Sequence, residues 1–226
     1  MDVGKGHRGG GINKVAVHPI FELAATAGED GTVKLWDLES GDFAKTLKGH
    51  TAGVQCVVWS GAGDLLVSCG ADLSVKVWDA GDGYACRRTM RGHGHNVCAA
   101  AFCRLEGVQD KGVATTGRDG TIRIWDLKTG FCVHTIRARA EPPVWLRDLK
   151  HSNWVRDLLV STRSADYVLS VGDDRCMMVL DVKNRRCLRE IKDAGGHFVQ
   201  AVGMHEKLPV VVTAGVDNEV RIWKCE

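Results

Sequence analysis

Histidine, a hydroxyl residue and aspartate return at fixed spacing along this 226-residue chain. In a hydrolase such a trio makes a nucleophile, because the imidazole takes the hydroxyl proton while the carboxylate orients the ring. The aspartates are Asp30, Asp72, Asp119, Asp174 and Asp217, each in a turn-like setting. Four residues before each stands Thr26, Ser68, Thr115, Ser170 or Thr213. Twenty or more residues before each stands His7, His50, His93, His151 or His197. Six residues after each stands a large apolar residue: Trp36, Trp78, Trp125, Leu180 or Trp223. A catalytic nucleophile occurs once, in a privileged place; a set repeated five times reads as a structural hydrogen-bond network. No Gly-x-Ser-x-Gly elbow, phosphate-binding glycine loop or His-Glu-x-x-His accompanies it. The nine cysteines contain no Cys-x-x-Cys spacing and mostly lie in apolar runs, where cysteine acts as a small hydrophobe. The expectation is no catalysis, cofactor, metal or disulfide, and a reducing compartment.

Antiparallel strands are the elements that must hold these groups. Val33-Lys-Leu-Trp36 and Ile122-Arg-Ile-Trp125 alternate with the period of two of half-buried strands. Asp30-Gly31 and Asp119-Gly120 have the composition of tight hairpin turns. In such a turn the aspartate can accept hydrogen bonds from the histidine ring and turn amides, while the hydroxyl and the Trp N–H complete a buried polar chain. Asp42 to Lys48 reads as an outermost strand, Arg104 to Lys111 as an enlarged loop, and the double proline within Ala138 to Trp145 cannot continue a central strand. Composition adds limits. At 44% hydrophobic and 26% charged the chain has an ordinary globular make-up. No apolar run reaches the ~18 residues of a transmembrane helix. The N-terminus lacks the apolar core of a secretory signal, and a net charge of +2 is too small to argue for nucleic acid.

The pairs Gly49-His50 and Gly92-His93, with Trp36-Asp37, Trp78-Asp79 and Trp125-Asp126, resemble the WD-repeat family of β-propellers. The turn aspartates are spaced by 42, 47, 55 and 43 residues, near the ~40–45 of that family. The resemblance runs from about Gly6 to Glu226. It implies one all-β propeller domain, residues 1–226, with five recognisable four-stranded blades at about 7–42, 43–83, 84–130, 131–184 and 185–226. Phe43 to His50, Thr89 to Val97, Ser152 to Arg156, Lys183 to Cys187, His197 to Val199 and Val220 to Cys225 resemble, more closely, the lissencephaly family of WD-repeat proteins. That family regulates cytoplasmic dynein and also serves as the non-catalytic subunit of an acetylhydrolase that degrades platelet-activating factor. It has seven blades behind an N-terminal dimerisation motif and coiled coil. Here Trp145-Leu-Arg-Asp148 and Trp154-Val-Arg-Asp157 both look like the opening of an inner strand, which implies that two blades are missing between them. Closure of a five-bladed ring is left open, and an unclosed ring would bare strand edges.

In the lissencephaly family a basic, aromatic face of the ring grips the dynein motor. Carried over by position, the resemblance places Arg118, Trp154, Arg175 and Arg147 on that face. Arg and Trp are residue types that anchor binding hot spots, and a basic face steers acidic partners. The partners implied are the dynein motor domain, coiled-coil dynein adaptors and the acetylhydrolase catalytic subunits, with neither nucleic acid nor membrane insertion. The location implied is the cytoplasm and the microtubule-organising centre. Without the dimerisation motif the expected state is a monomer, lacking the avidity of two linked propellers. The Lys183 to Arg186 cluster with Arg189 reads as a solvated hairpin face. The alternative is a general WD-repeat scaffold, such as a ubiquitin-ligase substrate receptor, for which Trp125-Asp-Leu-Lys128 is a single adaptor-box match.

Overall fold

The computed structural model describes residues 6–105, 108–137, 151–161, 167–181, 184, 186–204 and 209–224. These residues form strands and connecting turns, with no helix among them. The first sheet joins β1 (Ile12–Val17), β2 (Leu23–Gly28), β3 (Thr32–Asp37) and β4 (Phe43–Lys48) in that order. The second joins β5 (Val54–Trp59), β6 (Leu65–Gly70), β7 (Ser74–Asp79) and β8 (Ala85–Arg91). The third contains β9 (Val97–Leu105), β10 (Val108–Gly117), β11 (Thr121–Asp126) and β12 (Cys132–Arg137), and the fourth β13 (Val155–Val160), β14 (Tyr167–Gly172), β15 (Met177–Asp181) and β16 (Arg186–Ile191). The fifth contains β17 (Val199–Met204), β18 (Val210–Gly215) and β19 (Val220–Lys224). All neighbours are antiparallel, as hairpin connections require.

Three expectations are revised. The fifth sheet has three described strands, not four, because β19 has only β18 beside it. Each complete sheet includes a fourth strand that the repeat boundaries assign to the following unit: β4 pairs with β3, and β8 with β7. Most of the enlarged loop at 104–111 is strand. β9 and β10 run long and pair as far as Leu105 with Val108, so the extra residues lengthen a hairpin.

The hydrophobic core is divided among the junctions between sheets. Alternation along Thr32–Asp37 sends Val33 and Leu35 to one side and Lys34 and Trp36 to the other. The second sheet repeats the pattern, so Trp78 packs against Ala25, Ala27, Val33, Leu35 and Leu47 of the first. Trp125 packs in the same way on Cys56, Val67, Cys69, Val75 and Met90. Leu180 occupies that position at the third junction beside Ala114, Ile122 and Ile124, and Trp223 at the fourth. The first strands β1, β5, β9, β13 and β17 pack on one another in succession, which makes them the inner strands. Among the described residues no hydrophobic cluster joins the fifth sheet to the first. Among the described residues the ring of sheets is unclosed.

The turn after each aspartate uses left-handed backbone at the same place. The residues there are Gly31 (φ 76°), Leu73 (64°), Gly120 (69°), Arg175 (63°) and Asn218 (60°). Glycine and asparagine adopt this conformation readily; leucine and arginine do so at a cost.

Candidate functional site

The repeated polar residues meet as the spacing predicts in four sheets. In the second, Trp78 Nε1–H donates to Ser68 Oγ at 2.8 Å, Ser68 Oγ lies 2.8 Å from His50 Nε2, and His50 Nδ1 lies 2.9 Å from Asp72. Tryptophan can only donate, so the serine hydroxyl accepts from it; in the arrangement that the lowered His50 pKa favours, the hydroxyl donates to Nε2 and Nδ1–H donates to the carboxylate. That assignment requires a neutral imidazole. Burial lowers the His50 pKa, with the Asp72 carboxylate opposing it. The first sheet repeats the chain through Trp36, Thr26, His7 and Asp30, and the third through Trp125, Thr115, His93 and Asp119. The fourth holds Ser170, His151 and Asp174; Leu180 fills the Trp position without a donor. Each aspartate also caps its turn. Asp72 accepts from the Thr51 and Ser74 amides and the Ser74 hydroxyl. Burial works to raise the carboxyls of Asp30, Asp72 and Asp119, yet the hydrogen bonds they accept, His7, His50 and His93 among the donors, outweigh it and hold all three below the ordinary range.

The connectivity is that of a catalytic triad, but the setting forbids its chemistry. Ser68, Thr115 and Ser170 are 0% exposed, and in the second and third sheets the hydroxyl oxygen already accepts the Trp N–H. No substrate carbonyl can reach them.

The fifth sheet departs from the expectation. His197 is exposed and lies edge-on to Phe198, with ring centroids 4.3 Å apart; it has no bond to Asp217. Gly196 N–H donates to Asp217 at 2.6 Å, as Thr51 does to Asp72, so Gly195 occupies the histidine position. Thr213 turns its hydroxyl to the Ala194 carbonyl while accepting from Trp223 Nε1. The Arg221 guanidinium, 3.3 Å from Asp217, stands in for the imidazole. The sequence held a signal: His197 precedes its aspartate by 20 residues, against 22 to 26 in the other four.

The same rim carries the candidate binding face. Arg118 follows β10 in the turn before Asp119, and Trp154 immediately precedes β13. The Arg118 guanidinium stacks over the Trp154 ring at 4.8 Å, with Arg156 over the same ring at 5.1 Å. The two arginines differ. Arg156 is anchored by two 2.6 Å bonds to the buried carboxylate of Asp173. Arg118 Nε is buried with no hydrogen-bond partner. Cys98 lies beside both; burial raises its thiol pKa and Arg118 and Arg156 counter it. His95 completes the cluster 6.4 Å from the Trp154 ring. Trp154 remains 37% exposed, so a rigid indole edge faces outward between cations.

Of the four expected face residues, Arg118 and Trp154 are brought together. Arg175 is at the matching turn of the next sheet, but its guanidinium lies 3.7 Å from Asp193, at the junction of the fourth and fifth sheets. Arg147 lies outside the described residues, as do Trp145 and the double proline. Sequence reasoning gave no role to Arg156, Asp173 or His95. Trp154 and Arg156 stand two residues apart across the start of β13, a spacing that puts them on one face in extended chain and was a usable signal.

The fold and these networks define a WD-repeat propeller. The family model "WD domain, G-beta repeat" matches residues 2–37, 41–79 and 84–126, and the chain belongs to that family. Among individual proteins it is similar to the nuclear distribution protein PAC1 of Arthroderma benhamiae, 40% identical over 177 residues covering 76% of this chain and 36% of the relative. The PAC1 protein of Gibberella zeae is 44% identical over 147 residues, 62% of this chain and 31% of that one. The nuclear distribution protein nudF of Aspergillus niger is 34% identical over 235 residues, 94% of this chain and 49% of the relative. The chain thus spans about a third to a half of the length of the curated relatives it matches.

Proposed function

We propose that this chain is a non-enzymatic interaction module of the nuclear-distribution type, which binds the cytoplasmic dynein motor through the rim around Arg118 and Trp154. The observation that carries the reading is the pair itself: a partly exposed indole held in place by two guanidiniums, one of them neutralised by Asp173 and the other without a carboxylate partner among the described residues. Such a group offers an apolar edge and an unspent positive charge, suited to a partner surface with an acidic residue beside an apolar groove. The choice of partner rests on the resemblance to the dynein-regulating lissencephaly family, and the names of the relatives, nuclear distribution proteins, are compatible with it. In this reading coiled-coil adaptors and acetylhydrolase subunits are further partners, and the site of action is the cytoplasm at microtubules. Binding of the purified chain to a dynein motor domain, measured at low and moderate salt, tests it. Saturable binding that weakens as salt rises is expected; a cooperatively folded chain that fails to bind at either salt overturns it.

One observation favours a second reading, a WD-repeat scaffold without dynein. Arg175, expected on the same face, directs its charge to Asp193. Capture of ubiquitin-ligase components in place of the motor would support that reading.

A further inference from the structure

Every junction inside the molecule is made from the same two halves. One sheet supplies a face of small and β-branched residues, and the next supplies the face that carries Trp78, Trp125, Leu180 or Trp223. The first and last sheets each display one of these halves with nothing among the described residues packed against it.

On the first sheet the unmatched half is the tryptophan-bearing one. The register aligns Val15 with Thr26 and Lys34, and Val17 with Ala24 and Trp36. These rows correspond to Val57, Ser68, Lys76 and Trp59, Leu66, Trp78 of the second sheet, where Val57, Leu66 and Trp78 are buried against the first. On the first sheet Val15 and Val17 are 55% and 62% exposed, with Phe43 edge-on to Trp36 at 5.8 Å. On the fifth sheet the unmatched half is the β-branched one. Its rows are Ala201, Ala214, Val220 and Gly203, Val212, Ile222. They correspond to Cys56, Cys69, Val75 and Val58, Val67, Val77, which cover Trp125 at the second junction. Val220 and Ile222 are 67% and 69% exposed. Apolar faces of this kind seek cover, and four instances within the chain show which surface covers each.

We infer that two copies of this chain associate head to tail, with the Val220–Ile222 face of one seated on the Val17–Trp36–Phe43 face of the other, as a fifth example of the internal junction. The contact is heterologous, so each added copy offers a fresh face and the assembly extends until it closes or dilution limits it. The proposal departs from the monomer expected from the sequence. It does not depend on dynein binding.

Sedimentation of the parent, of Val17→Lys and of Ile222→Lys over a dilution series tests the inference. Both substitutions fall on exposed positions, and a cooperative thermal transition for each verifies the fold. The parent's average mass is expected to rise with concentration beyond that of one chain, while each variant alone keeps the mass of one chain. An equimolar mixture of the variants retains one intact pair of faces and is expected to stop at two copies. A parent of single-chain mass throughout overturns the inference and leaves these faces to another partner or to further repeats. Variants that self-associate alone, or a mixture that does not pair, overturn it equally.

Discussion

Leu73 and Arg175 hold left-handed backbone at turns where the first and third sheets use Gly31 and Gly120. A side chain there crowds the following carbonyl, at a cost of roughly 1–2 kcal/mol. Leu73 is 37% exposed, so little burial is lost when its side chain is removed. Leu73→Gly should therefore raise stability by about 1 kcal/mol, seen as a higher urea midpoint with unchanged slope. Gly120→Ala should lower it by a similar amount. The hydroxyl, aspartate and tryptophan positions were legible in the sequence because each sits at a fixed offset inside one hairpin. The histidine was less so, because it reaches its aspartate across a loop of variable length. That is why His197 resembled its counterparts while Gly195 and Arg221 took over the place. Trp154 was legible by type and resemblance. Arg156 and Asp173, which brace it, were not, since their pairing depends on the approach of β13 to the turn after β14.

At the scale of the element, each polar chain fastens the entry loop of a sheet to its central hairpin. Ser68→Ala leaves the Trp78 N–H and His50 Nε2 without their partner in a fully buried place. The expected loss is about 2 kcal/mol, read from the urea midpoint. The networks also set a pH response. Asp30, Asp72 and Asp119 have pKa values below the ordinary 3.8, so the native state binds fewer protons than the unfolded chain near that value. Their stabilisation is complete above it and is lost as pH falls through the native values. His50 is lowered from 6.5; the fold favours its neutral form, and that contribution declines as pH falls below 6.5. The urea midpoint should fall modestly from about pH 6.5 and steeply below about pH 4. A midpoint that rises between pH 7 and pH 5 would contradict the neutral-histidine assignment.

Over the whole molecule, stability should follow the number of covered faces. Among the described residues the second, third and fourth sheets are packed on both sides, whereas the first and fifth are packed on one. At concentrations low enough to keep single chains, amide hydrogen exchange should be slowest in β6, β10 and β14 and fastest in β18 and β19. Equal protection of β19 and β6 would mean that the last sheet is covered. The repeat count and the all-β class were plain in the sequence, because period-two strands and turn aspartates are local patterns. Whether the ring closes was not, because closure depends on faces brought together from opposite ends of the chain. Among the described residues the seam is open, with apolar rows on both sides of it.

The central claim is that the Arg118–Trp154 rim is a protein-binding surface. It is tested most directly by dynein motor-domain affinity for the parent, for an Arg118→Glu, Trp154→Ala double variant, and for Arg87→Glu. Arg87 lies in the outer strand β8, and its side chain is 58% exposed beside Asp79. The Arg87 variant therefore controls for the same charge reversal elsewhere. With all three proteins cooperatively folded, the rim variant should lose at least about tenfold in affinity, the loss expected when a hot-spot pair is removed, while Arg87→Glu stays within about twofold of the parent. Equal affinity for parent and rim variant would contradict the assignment of the site.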